Sequence, residues 1–144
     1  FGVATDDSHR YHTFSSKDSN SGRGWVMVNS NKLDTDHLIS AMESGDFYAS
    51  TGVHLNKVIS DQHKIVISVD PELEVNYEII FIGYQKGGEE VVELKKVKGT
   101  NASYTYQKKD IFVRAVVKSD AKKDNPIVLD ETKKAWTQPI LTAL

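Results

Sequence analysis

The chain contains no cysteine, so disulfide staples and thiolate metal sites are both excluded. Lack of cysteine leaves the compartment open, because secreted proteins without it are common. It also has no apolar run approaching the roughly 18 residues that a bilayer-spanning helix needs. A dominant charge is missing as well: 18 Lys and Arg stand against 20 Asp and Glu, with no basic block. That balance gives no electrostatic grip on a phosphate backbone, so neither nucleic acid nor a membrane is expected as a partner. What is present suffices for a core, with 39% apolar and 26% charged residues over 144 positions. No signal peptide is visible, and the first residue is Phe1, inside what reads as a strand. The expectation is therefore a processed or truncated bacterial chain, cytoplasmic or, if a leader was removed upstream, extracytoplasmic.

Local patterning divides the chain unequally. Phe1–Thr5 reads as a short buried strand running into Asp6-Asp7-Ser8-His9-Arg10-Tyr11-His12. A polar stretch from Ser15 to Gly24 is loop, and Trp25–Val28 is a second apolar strand. One helix follows: Asp34 or Thr35 caps it, Asp36 suits its positive end, and Leu38, Ala41 and Met42 repeat at helical spacing before Gly45. Phe47–Thr51 returns as a strand. After Gly52 come seven segments with strand character, Val53–Ile59, Lys64–Val69, Tyr77–Tyr84, Glu90–Leu94, Ser103–Gln107, Ile111–Lys118 and Trp136–Leu141. Hairpin turns are expected at Lys86-Gly87-Gly88 and Gly99-Thr100-Asn101, and a solvent-facing loop over Asp120–Lys134. Strands without a helical period between them predict an antiparallel β-sandwich over residues 53–144, preceded by a β/α segment over residues 1–52.

One tripeptide carries metal chemistry. In an extended strand, residues two apart project to the same side, so Asp7 and His9 would face one pocket. Carboxylate and imidazole together suit Zn, Mn or Fe. Two ligands do not complete a catalytic zinc site, which takes about three and an open position. His12 and Arg23 are candidate contacts for a substrate phosphate, Arg23 with the backbone N–H groups of its flanking glycines. Against this, a tight approach at Gly22-Arg23-Gly24 would serve to let Trp25 pack. Arg114, inside the apolar strand Phe112–Val117, should reach the rim or pair with an acid. Trp136 reads as an anchor of the sandwich core.

The order and spacing of three stretches carry more than any tripeptide. They are Gly2-Val3-Ala4-Thr5-Asp6-Asp7-Ser8-His9, Gly22-Arg23-Gly24-Trp25-Val26, and Ala41 through Gly52. Together they resemble the carboxyl-terminal part of PHP-domain (polymerase and histidinol phosphatase) metal-dependent phosphoesterases, in the subgroup where a β-domain follows the barrel. Phe112–Ala115 and Ala135–Ile140 are similar to strands of that trailing domain. The resemblance implies that residues 1–52 close a distorted (β/α)7 barrel and that Asp7 and His9 form its last metal-ligand motif. It also implies a divalent metal (Zn, Mn or Fe) in the intact protein, a phosphoester substrate, and a missing amino-terminal barrel portion as partner. The family's earlier His-x-His, intermediate His and metal-bridging Glu are not in this chain, which is expected to hold no metal or a partial site and to be inactive alone. The alternative is a non-catalytic β-sandwich that docks on carbohydrate or protein. Bared of a barrel, residues 1–52 are expected to oligomerise, to be mobile, or to pack against the sandwich.

Overall fold

The computed structural model describes residues 1–142. Ten strands and one helix follow in order: β1 (Trp25–Val28), α1 (Thr35–Ser44), β2 (Phe47–Ser50), β3 (Leu55–Ser60), β4 (Lys64–Val69), β5 (Tyr77–Gln85), β6 (Val91–Lys98), β7 (Asn101–Thr105), β8 (Asp110–Lys122), β9 (Thr132–Thr137) and β10 (Ile140–Leu141). The fold is mainly β, with two antiparallel sheets packed face to face. The larger sheet runs β1-β2-β9-β8-β5-β6, with β10 also on β8; the smaller runs β3-β4-β7.

Alternation along the strands places the core. From the large sheet, Tyr77, Ile79 and Phe81 of β5 and Val113, Ala115 and Val117 of β8 point inward; Ile65, Ile67 and Val69 of β4 meet them from the small sheet. Phe81 stacks on Tyr104 at 5.8 Å between ring centroids, joining the sheets across the interior. Asp110, only 2% exposed, accepts from the Tyr104 hydroxyl at 2.9 Å and from Gln85 Nε2 at 2.9 Å. A buried carboxylate is tolerated there because its lone pairs are used.

The helix forms as its caps direct. Asp34 accepts from His37 N at 3.0 Å, and Gly45 closes the other end at φ 79°, a left-handed value that a side chain would strain. Only Ala41 of the helix is buried, with Leu38 and Met42 partly covered.

Four expectations need correction. Residues 1–5 form no strand: Phe1 and Val3 are 69% and 57% exposed, and the segment has no ladder partner among the described residues. It is tied to the sheet by an amide clasp, in which Gln138 Oε1 accepts from Gly2 N and Gln138 Nε2 donates to Gly2 O, both at 2.8 Å, and by the edge of Phe1 against Phe47 of β2 at 6.1 Å between ring centroids. Gly99-Thr100-Asn101 is not a hairpin turn but a crossing, since β6 pairs with β5 in one sheet and β7 with β4 in the other. Strand β8 continues to Lys122 and β9 starts at Thr132, so the charged loop is shorter than Asp120–Lys134; the hairpin arm is laced by Lys122–Asp130 and Lys123–Glu131 ion pairs. Trp136 lies on the outer face of the large sheet: it is partly exposed, while its neighbours Ala135 and Thr137 turn inward. Strand β2 joins the large sheet beside β9 through Tyr48↔Thr137, Ala49↔Trp136 and Ser50↔Ala135.

Candidate functional site

The segment between Thr5 and Trp25 has no regular structure, yet its polar side chains bind its own backbone throughout. Asp6 accepts from three successive backbone N–H groups, Gly22 at 2.8 Å, Arg23 at 2.6 Å and Gly24 at 2.7 Å. Burial pushes its pKa up, but those N–H groups and the Arg23 charge outweigh it and hold the carboxyl below its ordinary range. Gly24 lets the chain pass close here, since a Cβ there would sit 3.3 Å from Ala4 Cβ and from Thr5 O. Ser19 O accepts from His9 N at 2.8 Å and Arg10 N at 2.9 Å, drawing the two limbs of the loop together.

Two buried polar side chains fill the middle. Asn20, fully buried, donates to Arg10 O and Thr13 O at 3.0 and 2.6 Å and accepts from Ser15 N at 3.0 Å. Arg23, 5% exposed, donates to Asp18 O at 2.6 Å, Ser15 O at 3.0 Å, Asn125 O at 3.1 Å and Asn125 Oδ1 at 3.2 Å. Most of a guanidinium's N–H groups are thus spent on the protein itself. The expectation that Arg23 faces a substrate phosphate is not where its donors go; it clamps the loop to the β8–β9 connection. No signal in the Gly-Arg-Gly spacing distinguishes those outcomes.

The clamp holds Asp7 and His9 at the surface. Asp7 adopts φ 48°, a left-handed conformation uncommon outside glycine but tolerated by Asp. The pair therefore meets through a turn rather than along an extended strand, with His9 Nδ1 3.9 Å from Asp7 Oδ1 and both side chains mostly exposed. His9 Nδ1 also lies 2.6 Å from the carbonyl oxygen of Asp7. A carbonyl oxygen only accepts, so Nδ1 carries the hydrogen, and in the neutral ring Nε2 keeps its lone pair. Metal-bound histidines are oriented by this kind of bond. His12 is exposed nearby in sequence, without a hydrogen bond from its ring among the described residues. Among the described residues, no cluster of three or more His, Cys, Asp or Glu side chains is poised for a metal. Asp7 and His9 would supply two ligands, one short of a catalytic zinc's protein share.

Two clefts adjoin this region. One, of about 310 Å³, lies beside Gly22 and Trp25 and takes in Glu72, Lys133 and His54. Lys133 donates to both Glu72 carboxylate oxygens at 3.0 and 2.9 Å, which raises its pKa. The other, of about 290 Å³, lies between residues 2–4 and the outer face of the large sheet, around Arg114 and Trp136. Sequence reasoning found Arg114 by its setting but not the cleft, which depends on how distant strands are ordered. No family profile, curated protein or solved structure matches the chain.

Proposed function

We propose that this chain contributes a late metal-ligand pair, Asp7 and His9, and an accessory β-sandwich to a PHP-type metal-dependent phosphoesterase, and that it has no hydrolytic activity by itself. The supporting observation is the His9 ring: its Nδ1–H is held by the Asp7 carbonyl at 2.6 Å, which leaves Nε2 the ligating nitrogen. A divalent Zn, Mn or Fe ion bound there would lower the pKa of a bound water and polarise a phosphoryl oxygen. The part of this chain is to present one imidazole and one carboxylate on a loop whose shape Asp6, Asn20 and Arg23 set. The remaining ligands belong to the barrel portion that the sequence resemblance implies. A phosphoester is the substrate class on this reading, and His12 is the one candidate phosphate contact with a free ring.

Two measurements test it. The coding sequence upstream of Phe1 should contain a His-x-His motif roughly 200 residues earlier, the length of a barrel domain; a coding sequence without one sinks the family reading. The chain alone, given Mn²⁺ or Zn²⁺, should leave p-nitrophenyl phosphate intact. Turnover that Asp7→Ala abolishes would show a complete site and overturn the half-site claim. A second reading, a docking module without chemistry, draws on the exposed Phe1, Val3, Tyr11, Phe14 and Leu33. Oligosaccharide or protein binding that survives Asp7→Ala and His9→Ala favours it.

A further inference from the structure

We propose that the cleft around Arg114 and Trp136 is a binding site for a small organic anion, a carboxylate attached to an aromatic body. This inference uses neither Asp7 nor His9.

The site follows from sheet register. Pairing aligns Ala49, Trp136, Val116 and Ile80 in one row across four strands. The inward face of the sheet is occupied by Ala115, Val117 and Ala135, so this row looks outward. It is nevertheless well covered: Ala49, Val116 and Ile80 are 6%, 9% and 5% exposed. An outward face this apolar is unusual for a sheet that already has a core on its other side. Arg114 stands on the same face, two residues before Val116 and opposite Ile82.

A break in the neighbouring strand makes room beside it. Strand β9 pairs with β8 up to Trp136↔Val116, and β10 resumes at Ile140↔Val113. Between them lie Gln138 and Pro139, and Pro139 has no N–H to continue the ladder. Gln138 turns its amide to Gly2 instead, and so fastens residues 2–4 as a wall over the gap. The result is the cleft of about 290 Å³, with Val3, Ala4, Ala49, Trp136 and Pro139 as apolar lining and Arg114 as its one charged residue.

Arg114 has no ion pair and no side-chain hydrogen bond among the described residues, although the chain carries 20 Asp and Glu. By contrast Arg23, the other arginine with a covered side chain, uses four hydrogen bonds. A guanidinium is a planar fork matched to a carboxylate's two oxygens. An apolar cleft with one convergent charged group near the lower size limit of small-molecule sites, about 300 Å³, suits a ligand with one anionic end. Trp136 supplies a flat face for an aromatic body.

Phenylacetate and its neutral counterpart phenylacetamide are the probes. The chain has two tryptophans, so Trp25→Phe leaves Trp136 as the sole indole reporter. Saturable change in its emission is expected with phenylacetate and at least about tenfold weaker response with phenylacetamide. Arg114→Gln should weaken phenylacetate binding by about tenfold or more, and Arg114→Lys by less, since charge persists without the fork. Amide chemical-shift changes in the unsubstituted protein give a readout that needs no variant to fold; they should centre on Gly2, Ala4 and Gln138. Equal affinity for acid and amide overturns the proposal. So does unchanged binding in folded Arg114→Gln, or shifts that fall elsewhere.

Discussion

Residues 6–24 and the sandwich are held together by opposite means. In the loop, order comes from polar side chains that bind backbone: Asp6 takes three N–H groups, Asn20 three groups, Arg23 three carbonyls and an amide. Its large apolar side chains, Tyr11 and Phe14, are 64% and 67% exposed. In the sandwich, order comes from ladders and from side chains such as Ile65, Ile67, Ile79 and Phe81, all fully buried. Each loop bond is worth about 1 kcal/mol net, while burying one large apolar side chain contributes about 1.5–3 kcal/mol. The difference teaches that the loop can open while the sheets stay closed, and that the pair proposed as metal ligands, Asp7 and His9, sits on the part that is easier to rearrange.

The strongest way to break the sandwich is Phe81→Ala. It empties the site that stacks on Tyr104 and should cost about 3–5 kcal/mol, lowering the melting temperature by roughly 10 °C or more. Alkali attacks the same region. Burial, the Asp110 hydrogen bond and the Asp110 charge push Tyr104 up to about 12, and burial with the Asp61 charge does the same to Tyr106. Both phenols are neutral in either state below the ordinary value of 10.0; above it the unfolded chain ionises first. Stability should thus be intact below that pH and fall as pH rises toward about 12, which a pH series of thermal melts reads directly.

The loop answers to different changes. Arg23→Ala removes four bonds and should loosen it by about 2 kcal/mol, giving trypsin cleavage at Arg10 or Lys17 more than about tenfold faster with an unaltered sandwich melt. A melt that falls in step with the loop would dissolve the distinction between the two regions. Asp6 has a folded pKa below its unfolded one, so its contribution is present above the ordinary carboxylate range and lost as pH falls through the depressed value. Amide exchange at Gly22, Arg23 and Gly24 should accelerate in acid before exchange in β5 and β8 does, and Asp6→Asn should remove that pH dependence. Asp7→Gly is the mildest: it relieves the positive φ and should change stability by about 0.5 kcal/mol or less, in the stabilising direction. Metal affinity, where the proposed function holds, should drop all the same.

How much of this was legible beforehand depended on whether the determining contact is local. The helix was readable because Asp34 and Gly45 act within one turn, β1 because it is a short apolar run, and β4 and β5 because their alternating, β-branched pattern is local. The segment Phe1–Thr5 has the same apolar look as a strand, but a strand needs a partner, and composition does not supply one. Extension of β8 to Lys122 was hidden for the converse reason: its charged end is held by pairs across the hairpin, not by apolar burial. At the candidate site, the expected extended strand is replaced by a turn at Asp7, which leaves Asp7 and His9 at the surface. Arg23 looked the same for a phosphate contact as for a clamp, because the carbonyls that take its hydrogens come from the Ser15–Asp18 turn and from Asn125, about a hundred residues on.

The strand order also has a consequence for how the protein is made. β2 borders β9, and Gly2 meets Gln138 across a separation of 136 residues. The β1–β2 pair, joined through α1, therefore leaves the ribosome before its neighbour, and at about 5–20 residues per second the wait for β9 lasts several seconds. Two paired strands are marginal in water by themselves. Docking of β1 and β2 onto the large sheet must thus await β9, and pairings so distant along the chain favour slow folding.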